Sequence, residues 1–213
     1  MKKILTILAI SSVALMSTTA TIAQDAKTIL QKVSTKYKAS TGMKANFTLT
    51  MFDTKGANKG SQKGDILLKG NKYKVIAGNQ EMITDGKTLW TYRKADKEVM
   101  VDNVGANAIS PAKLFAGSYE KEYNYKGAGT KTVSGKVANV IELTPKTAQQ
   151  GFKKVDLYVD KTTNAILGGK IFEKNGSSME YTLSNINDKA ALTDAQFTFN
   201  AKAYPGVEVI DLR

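Results

Sequence analysis

The chain contains no histidine and no cysteine, and those two absences decide most of what its side chains can do. There is no imidazole to act as a base near neutral pH, so no Ser-His-Asp arrangement is possible. There is no thiolate nucleophile, no iron–sulfur cluster and no His- or Cys-ligated metal. Carboxylate and lysine chemistry remain open, and paired carboxylates are the first candidates for acid–base work. Asp85, Asp96, Asp102, Glu120, Glu122, Asp156, Asp160, Glu173 and Glu180 are spread along the chain, mostly in turns or in the polar phase of alternating segments. No acidic loop has calcium spacing, so neither metal nor cofactor is expected. Gly168-Gly169 is the one glycine pair; it interrupts a strand pattern and reads as a bulge or bend. The chain is not expected to be an enzyme.

Non-covalent chemistry is better represented. The apolar phases of the alternating segments hold large, adaptable groups: Phe47, Leu49, Met51, Leu67, Tyr73, Val75, Met82, Trp90 and Tyr92, then Met100, Leu157, Ile171, Met179, Tyr181 and Leu183. Most such residues simply pack a core. A single curved sheet with little helix has limited material to fill its concave side, however, and a residual apolar cavity suited to acyl chains is the expected result. Leu114 and Phe115 lie in the one long break between strand patterns, Gly105 to Ser118. There Ser110-Pro111 supplies an N-cap and a first-turn proline for a short helix. That segment is the candidate lid. Phe47, Leu49, Met51, Leu67, Tyr73, Val75, Met82, Trp90, Tyr92, Leu114 and Phe115 form the candidate acyl-chain site.

These residues need elements to position them. Ala26, Ile29, Leu30, Val33 and Tyr37 recur at helical spacing, with Lys27, Lys32, Lys36 and Lys38 elsewhere on the helix, and Gly42 is expected to end it. From Met43 the period changes to two, with Ala45, Phe47, Leu49 and Met51 facing one way. Short strands then follow one another, separated by Gly70-Asn71, Gly78-Asn79, Asp85-Gly86, Ala95-Asp96-Lys97 and Lys174-Asn175-Gly176. Asp85-Gly86 predicts a two-residue type I′ hairpin. About eleven strands, one long helix and one or two short ones predict a single twisted antiparallel sheet in meander order, curled into a barrel or half-barrel with helices over its concave side. A last short apolar segment, Phe197-Thr198-Phe199, precedes a tail containing Pro205-Gly206, Val207 and Val209. The 213 residues, 42% hydrophobic, suit one domain with a real core.

The first 23 residues read as an export signal: Met1-Lys2-Lys3, an apolar run from Ile4 to Leu15, and small residues ending at Ala23 before Gln24. The run is shorter than the roughly 20 residues needed to span a bilayer. Residues 24–213 are then the single folded domain, exported to the periplasm as a monomer without a lipobox cysteine. Net charge is +12, or +10 once Lys2 and Lys3 leave with the leader. Only Arg93 and Arg213 are arginines. A lysine-coated surface of this kind suits solubility or transient contact with anionic membrane lipids better than nucleic-acid reading, which favours arginine forks.

Ile83-Thr84-Asp85-Gly86-Lys87-Thr88-Leu89-Trp90-Thr91-Tyr92 resembles the central motif of the LolA family of periplasmic lipoprotein carriers. Gly64 to Lys69, Leu143-Thr144-Pro145-Lys146, Phe197-Thr198-Phe199 and Pro205-Gly206-Val207-Glu208-Val209 extend the resemblance, in order, over nearly the whole chain after the leader. It implies an unclosed β-barrel of about eleven strands with a helical lid over an apolar cavity. It also implies partners: triacylated lipoproteins as cargo, an inner-membrane ABC-type transporter that loads the carrier, and an outer-membrane receptor that unloads it. Burying each CH₂ of an acyl chain is worth about 0.8 kcal/mol, which is why such chains need cover in water.

The chain departs from the family pattern at Gly70-Asn71, where the family usually has Arg-Pro, the arginine helping to latch the lid. Tyr73 falls where the family has an aromatic residue implicated in meeting ligand and partners, and Val75 replaces a usual tryptophan. Two other functions are consistent with the residues: a same-fold periplasmic lipid binder or envelope-stress sensor, and a carboxylate-dependent hydrolase, which would require acids converging in the cavity.

Overall fold

The computed structural model describes residues 18–105, 110–116, 119–147 and 151–213. Helix α1, Thr18–Lys38, is followed by strands β1 (Met43–Phe52), β2 (Asn58–Lys69), β3 (Lys72–Ala77), β4 (Gln80–Thr84), β5 (Thr88–Arg93) and β6 (Glu98–Asn103). Two short helices, α2 (Pro111–Ala116) and α3 (Tyr119–Glu122), interrupt the strands. Then come β7 (Tyr123–Val133), β8 (Lys136–Pro145), β9 (Phe152–Asp160), β10 (Ile166–Glu173), β11 (Ser178–Asn187) and β12 (Glu208–Asp211). Residues 1–17 of the expected leader and Ile109 of the expected lid lie outside the described residues. The expected cleavage point after Ala23 falls within α1.

All twelve strands form one sheet in the order β12-β6-β5-β4-β3-β2-β1-β11-β10-β9-β8-β7. The meander is broken twice: β11 returns to pair with β1, so the first strand lies mid-sheet, and β12 pairs with β6, while the outer strands β12 and β7 do not meet. The sheet is therefore unclosed, as expected, with one strand more than the eleven anticipated. The addition is β12, which runs parallel to β6 in an otherwise antiparallel sheet. Strand β7 runs unbroken from Tyr123 to Val133, with an irregularity between Gly127 and Thr130.

The main core fills the concave face. From α1 come Ala26, Leu30 and Val33, from α2 Leu114 and Phe115, and from both halves of the sheet Ile66, Tyr73, Leu143 and Val155. One helix pair thus bridges the two halves of a curled sheet. The helical face read from the sequence is the buried one, because its apolar spacing matches the 3.6-residue turn. Gly42 is not the helix terminus: α1 ends at Lys38. The glycine instead permits close passage, since a Cβ there would stand 2.7 Å from the Ala190 carbonyl oxygen.

Two turns differ informatively from expectation. Between β4 and β5 the loop has three residues, and only Gly86 takes a positive φ, 94°. Asp85 accepts the N–H groups of Lys87 and Thr88, both at 2.8 Å, and this side-chain turn replaces the type I′ geometry. Phe197 lies in a 3₁₀ turn, Asp194–Phe197, not a strand. Gly168 marks a register shift in β10, with φ of 158°, and is the bulge the glycine pair signalled.

The outer face of β4–β6 is covered too. Tyr92 packs against Phe199 and Tyr204, with ring centroids 5.6 and 4.7 Å apart. Glu81 is buried beside them, paired with Lys74 at 3.1 Å and Lys94 at 3.2 Å, and accepts a hydrogen bond from the Tyr204 hydroxyl at 3.2 Å. Burial alone would raise its pKa; the two lysines outweigh that and hold the carboxyl below its ordinary value.

Candidate apolar binding site

An apolar cavity of about 170 Å³ opens on the concave face beneath α2. Its floor comes from the middle of the sheet: Phe47 and Leu49 of β1, Ile66 of β2, Val75 of β3, Ile171 of β10, and Tyr181 and Leu183 of β11. Ser110, Pro111, Leu114 and Phe115 form its roof. The register explains the assembly. Phe47 pairs with Leu183 and Gly64, and Leu49 pairs with Tyr181 and Gln62, so every second residue of these three adjacent strands shares one face.

Two glycines shape the floor. A Cβ on Gly64 would stand 2.6 Å from Phe47 Cζ, and one on Gly169 would stand 2.9 Å from the Tyr181 hydroxyl. Each aromatic ring lies across the bare backbone of a neighbouring strand. Phe47 and Tyr181 can therefore lie low and leave free volume above them, where upright rings would fill it.

The roof is held by aromatic and backbone contacts. The Ser110 hydroxyl accepts the N–H of Lys113 at 3.3 Å, so the expected cap and first-turn proline do begin α2. Phe115 meets the ring of Tyr37 edge-on, with centroids 4.9 Å apart. Tyr37 is anchored by the N–H of Ile166, which donates to its hydroxyl at 3.1 Å. The Tyr119 hydroxyl donates to the Leu114 carbonyl oxygen, tying α3 to α2. Among the described residues the buried Tyr181 hydroxyl has no hydrogen-bond partner, and burial pushes its phenol pKa well up.

The eleven residues singled out from the sequence divide across the sheet. Phe47, Leu49, Val75, Leu114 and Phe115 line the cavity. Tyr73 and Met82 share that face but belong to the packed core beside it. Met51 continues the same phase toward the end of β1 and is 40% exposed. Leu67, Trp90 and Tyr92 point to the opposite face: Leu67 pairs with Lys44, and Trp90 and Tyr92 pair with Ile83 and Glu81. The reason for Leu67 is visible in the sequence, since Lys63, Asp65, Leu67 and Lys69 form the polar phase of β2. Its neighbour Ile66 is the β2 residue that lines the cavity. Trp90 and Tyr92 mislead because the C-terminal segment gives that half of the sheet a second apolar face.

No carboxylate lines the cavity among the described residues. Glu142, Glu180 and Glu81 instead pair with lysines on the outer face. No group of acidic residues among those described could hold a metal, and no helix among them is long and apolar enough to cross a membrane.

Fold and site together define a half-open β-barrel built from one sheet, with an apolar cavity under a helical roof. The chain belongs to the LolA family: residues 38–200 match the family model described as outer membrane lipoprotein carrier protein LolA. It is 26% identical over 211 residues to the outer-membrane lipoprotein carrier protein of Aeromonas salmonicida, covering 97% of this chain and 98% of that protein. The corresponding protein of Cronobacter sakazakii is 29% identical over 224 residues, covering 100% and 99%. Among solved structures, an uncharacterized conserved protein from Thermus thermophilus superposes with a TM-score of 0.59 at 14% identity. That match covers 88% of this chain and 99% of the other, and it shows the fold.

Proposed function

We propose that the protein is a periplasmic carrier that shelters lipoprotein acyl chains in the concave cavity and moves lipoproteins from the inner to the outer membrane. The observation that carries this reading is the cavity itself, walled by Phe47, Leu49, Val75, Leu114 and Phe115 beneath a two-turn helix, in a chain of the lipoprotein carrier family. An acyl chain moved from water onto these side chains gains about 0.8 kcal/mol for each CH₂ covered. Binding and release require no covalent step. The roof is short enough to depend on tertiary contacts, as a segment that must open should.

In this reading the leader is removed near Ala23 and a triacylated lipoprotein is the cargo. An inner-membrane ABC-type transporter loads it and an outer-membrane receptor takes it off. The experiment is native purification from the periplasm followed by mass spectrometry of co-purifying material. Acylated lipoprotein released in stoichiometric amount is the expected result. A protein that emerges empty, and that fails to hold an acylated peptide supplied in vitro, overturns the proposal.

A further inference from the structure

A second cavity, of about 250 Å³, lies on the same concave face and shares one residue with the first: Phe115. The two follow one another along the same strands. Met43 of β1 and Leu68 of β2 line the second, whereas Phe47, Leu49 and Ile66, further along those strands on the same face, line the first. The Phe115 ring, 2% exposed and set edge-on against Tyr37, lines both.

The second cavity opens beside Lys38, Ser40, Lys69 and Gly70. Two of its polar groups, on Ser40 and Lys69, are already engaged. The Ser40 hydroxyl donates to the Asp188 carbonyl oxygen at 2.6 Å, and Lys69 Nζ donates to the Leu192 carbonyl oxygen and to Asp194, each at 3.0 Å. What Lys69 offers the cavity is its methylene stem. At Gly70, φ is +59° and nothing lies within 4 Å of the position a Cβ would take, so the opening is left clear on that side. Tyr37, Met43, Leu68 and Phe115 give the cavity an apolar lining that suits an acyl chain.

We propose that the carrier holds two acyl chains of one ligand in separate chambers, one on each side of Phe115, with the Gly70 opening as the mouth of the second. The ligand is the multiply acylated cargo of the carrier reading, and Phe115 is the residue that keeps two of its chains apart. This rests on the carrier reading above, and the experiment separates the two.

Methyl-labelled protein is titrated with an N-palmitoylated peptide, and separately with the same peptide bearing a dipalmitoylglyceryl group on an N-terminal cysteine. Methyl resonances of Leu49 and Leu183 report the first chamber; those of Met43 and Leu68 report the second. The expected result is that the singly acylated peptide shifts only Leu49 and Leu183, while the dipalmitoylglyceryl peptide shifts all four. In Phe115→Ala, with the partition gone, the singly acylated peptide should shift all four as well. If Leu49 and Leu183 respond but Met43 and Leu68 stay still with the dipalmitoylglyceryl peptide, the two-chamber proposal is overturned and the carrier reading stands. If both peptides shift all four alike in the unaltered protein, Phe115 is no partition. If none moves with either peptide, both readings fall.

Discussion

Phe47 lies flat across Gly64, its antiparallel partner in β2, with the ring edge 2.6 Å from where a Cβ on that glycine would stand. The same construction recurs across the cavity, where Tyr181 covers its partner Gly169 in β10. The cavity floor depends on these two missing side chains as much as on the rings above them.

Gly64→Ala should therefore damage both stability and binding. The new methyl would meet Phe47 and also the Ile76 carbonyl oxygen, which as backbone cannot step aside. Overpacking of this kind costs about 1–3 kcal/mol, and Phe47 would rise into the cavity. Urea denaturation and acylated-peptide binding are the measurements. Gly151→Ala, at a glycine with nothing within 4 Å of its Cβ position and no positive φ, is the neutral control. Equal behaviour of the two variants would mean the floor is more plastic than its geometry indicates.

Much of this arrangement was legible in the sequence, and the parts that were not have physical reasons. Period-two alternation located β1 and the Phe47–Leu49 phase. Ser110-Pro111 located the roof helix, and a glycine pair located the bulge at Gly168. Local pattern could not tell which face of a strand meets the cavity when both faces are apolar, as at Trp90 and Tyr92. Nor could it find β12, a parallel addition whose partner β6 is about a hundred residues away along the chain. The pairing of β1 with β11 is equally non-local; it brings Tyr181 and Leu183 beside Leu49 and Phe47.

Trp90 consequently reports on the outer face. Its emission should change little when an acylated peptide fills the cavity, whereas a tryptophan placed at Phe47 in a Trp90→Phe background should respond saturably. A large response from Trp90 in the unaltered protein would require the sheet itself to rearrange on binding.

The orphaned Tyr181 hydroxyl gives an opposite-sign test. Removing a buried donor that has no partner should be neutral or should stabilise the empty protein by about 1 kcal/mol. Tyr119→Phe should destabilise it by a similar amount, because that hydroxyl is bonded to the Leu114 carbonyl oxygen. Urea midpoints of the two variants should move in opposite directions or, at the least, differ clearly. If Tyr181→Phe loses as much as Tyr119→Phe, the hydroxyl has a partner in solution.

Leu114 and Phe115 hold the roof, being 5% and 2% exposed. Truncating a large buried side chain typically costs about 2–5 kcal/mol. Here the loss should appear mainly as local opening of α2. In Leu114→Ala with Phe115→Ala, amides of residues 112–116 should exchange much faster while those of β9 and β10 keep their protection, and acylated peptide should dissociate faster. Unchanged exchange and retention would show that α2 is not the gate.

Glu81 links the sheet to the C-terminal segment through a charge that titrates. Its carboxyl is held below the ordinary value of 4.5 by Lys74 and Lys94, against the opposing effect of burial. A group depressed in this way stabilises the folded state while ionised. That contribution is complete well above pH 4.5 and is lost as pH falls through the lower folded value. Because Tyr204 donates to the same carboxylate, the loss should first free residues 204–211. Amide exchange there should accelerate only as pH falls below 4.5, before the pairs between β1 and β11 open. Glu81→Gln should show the accelerated exchange already at about pH 7 and remove its local pH dependence. If the C-terminal amides open no earlier than those of β1 on acidification, the Glu81 cluster is not what fastens the segment.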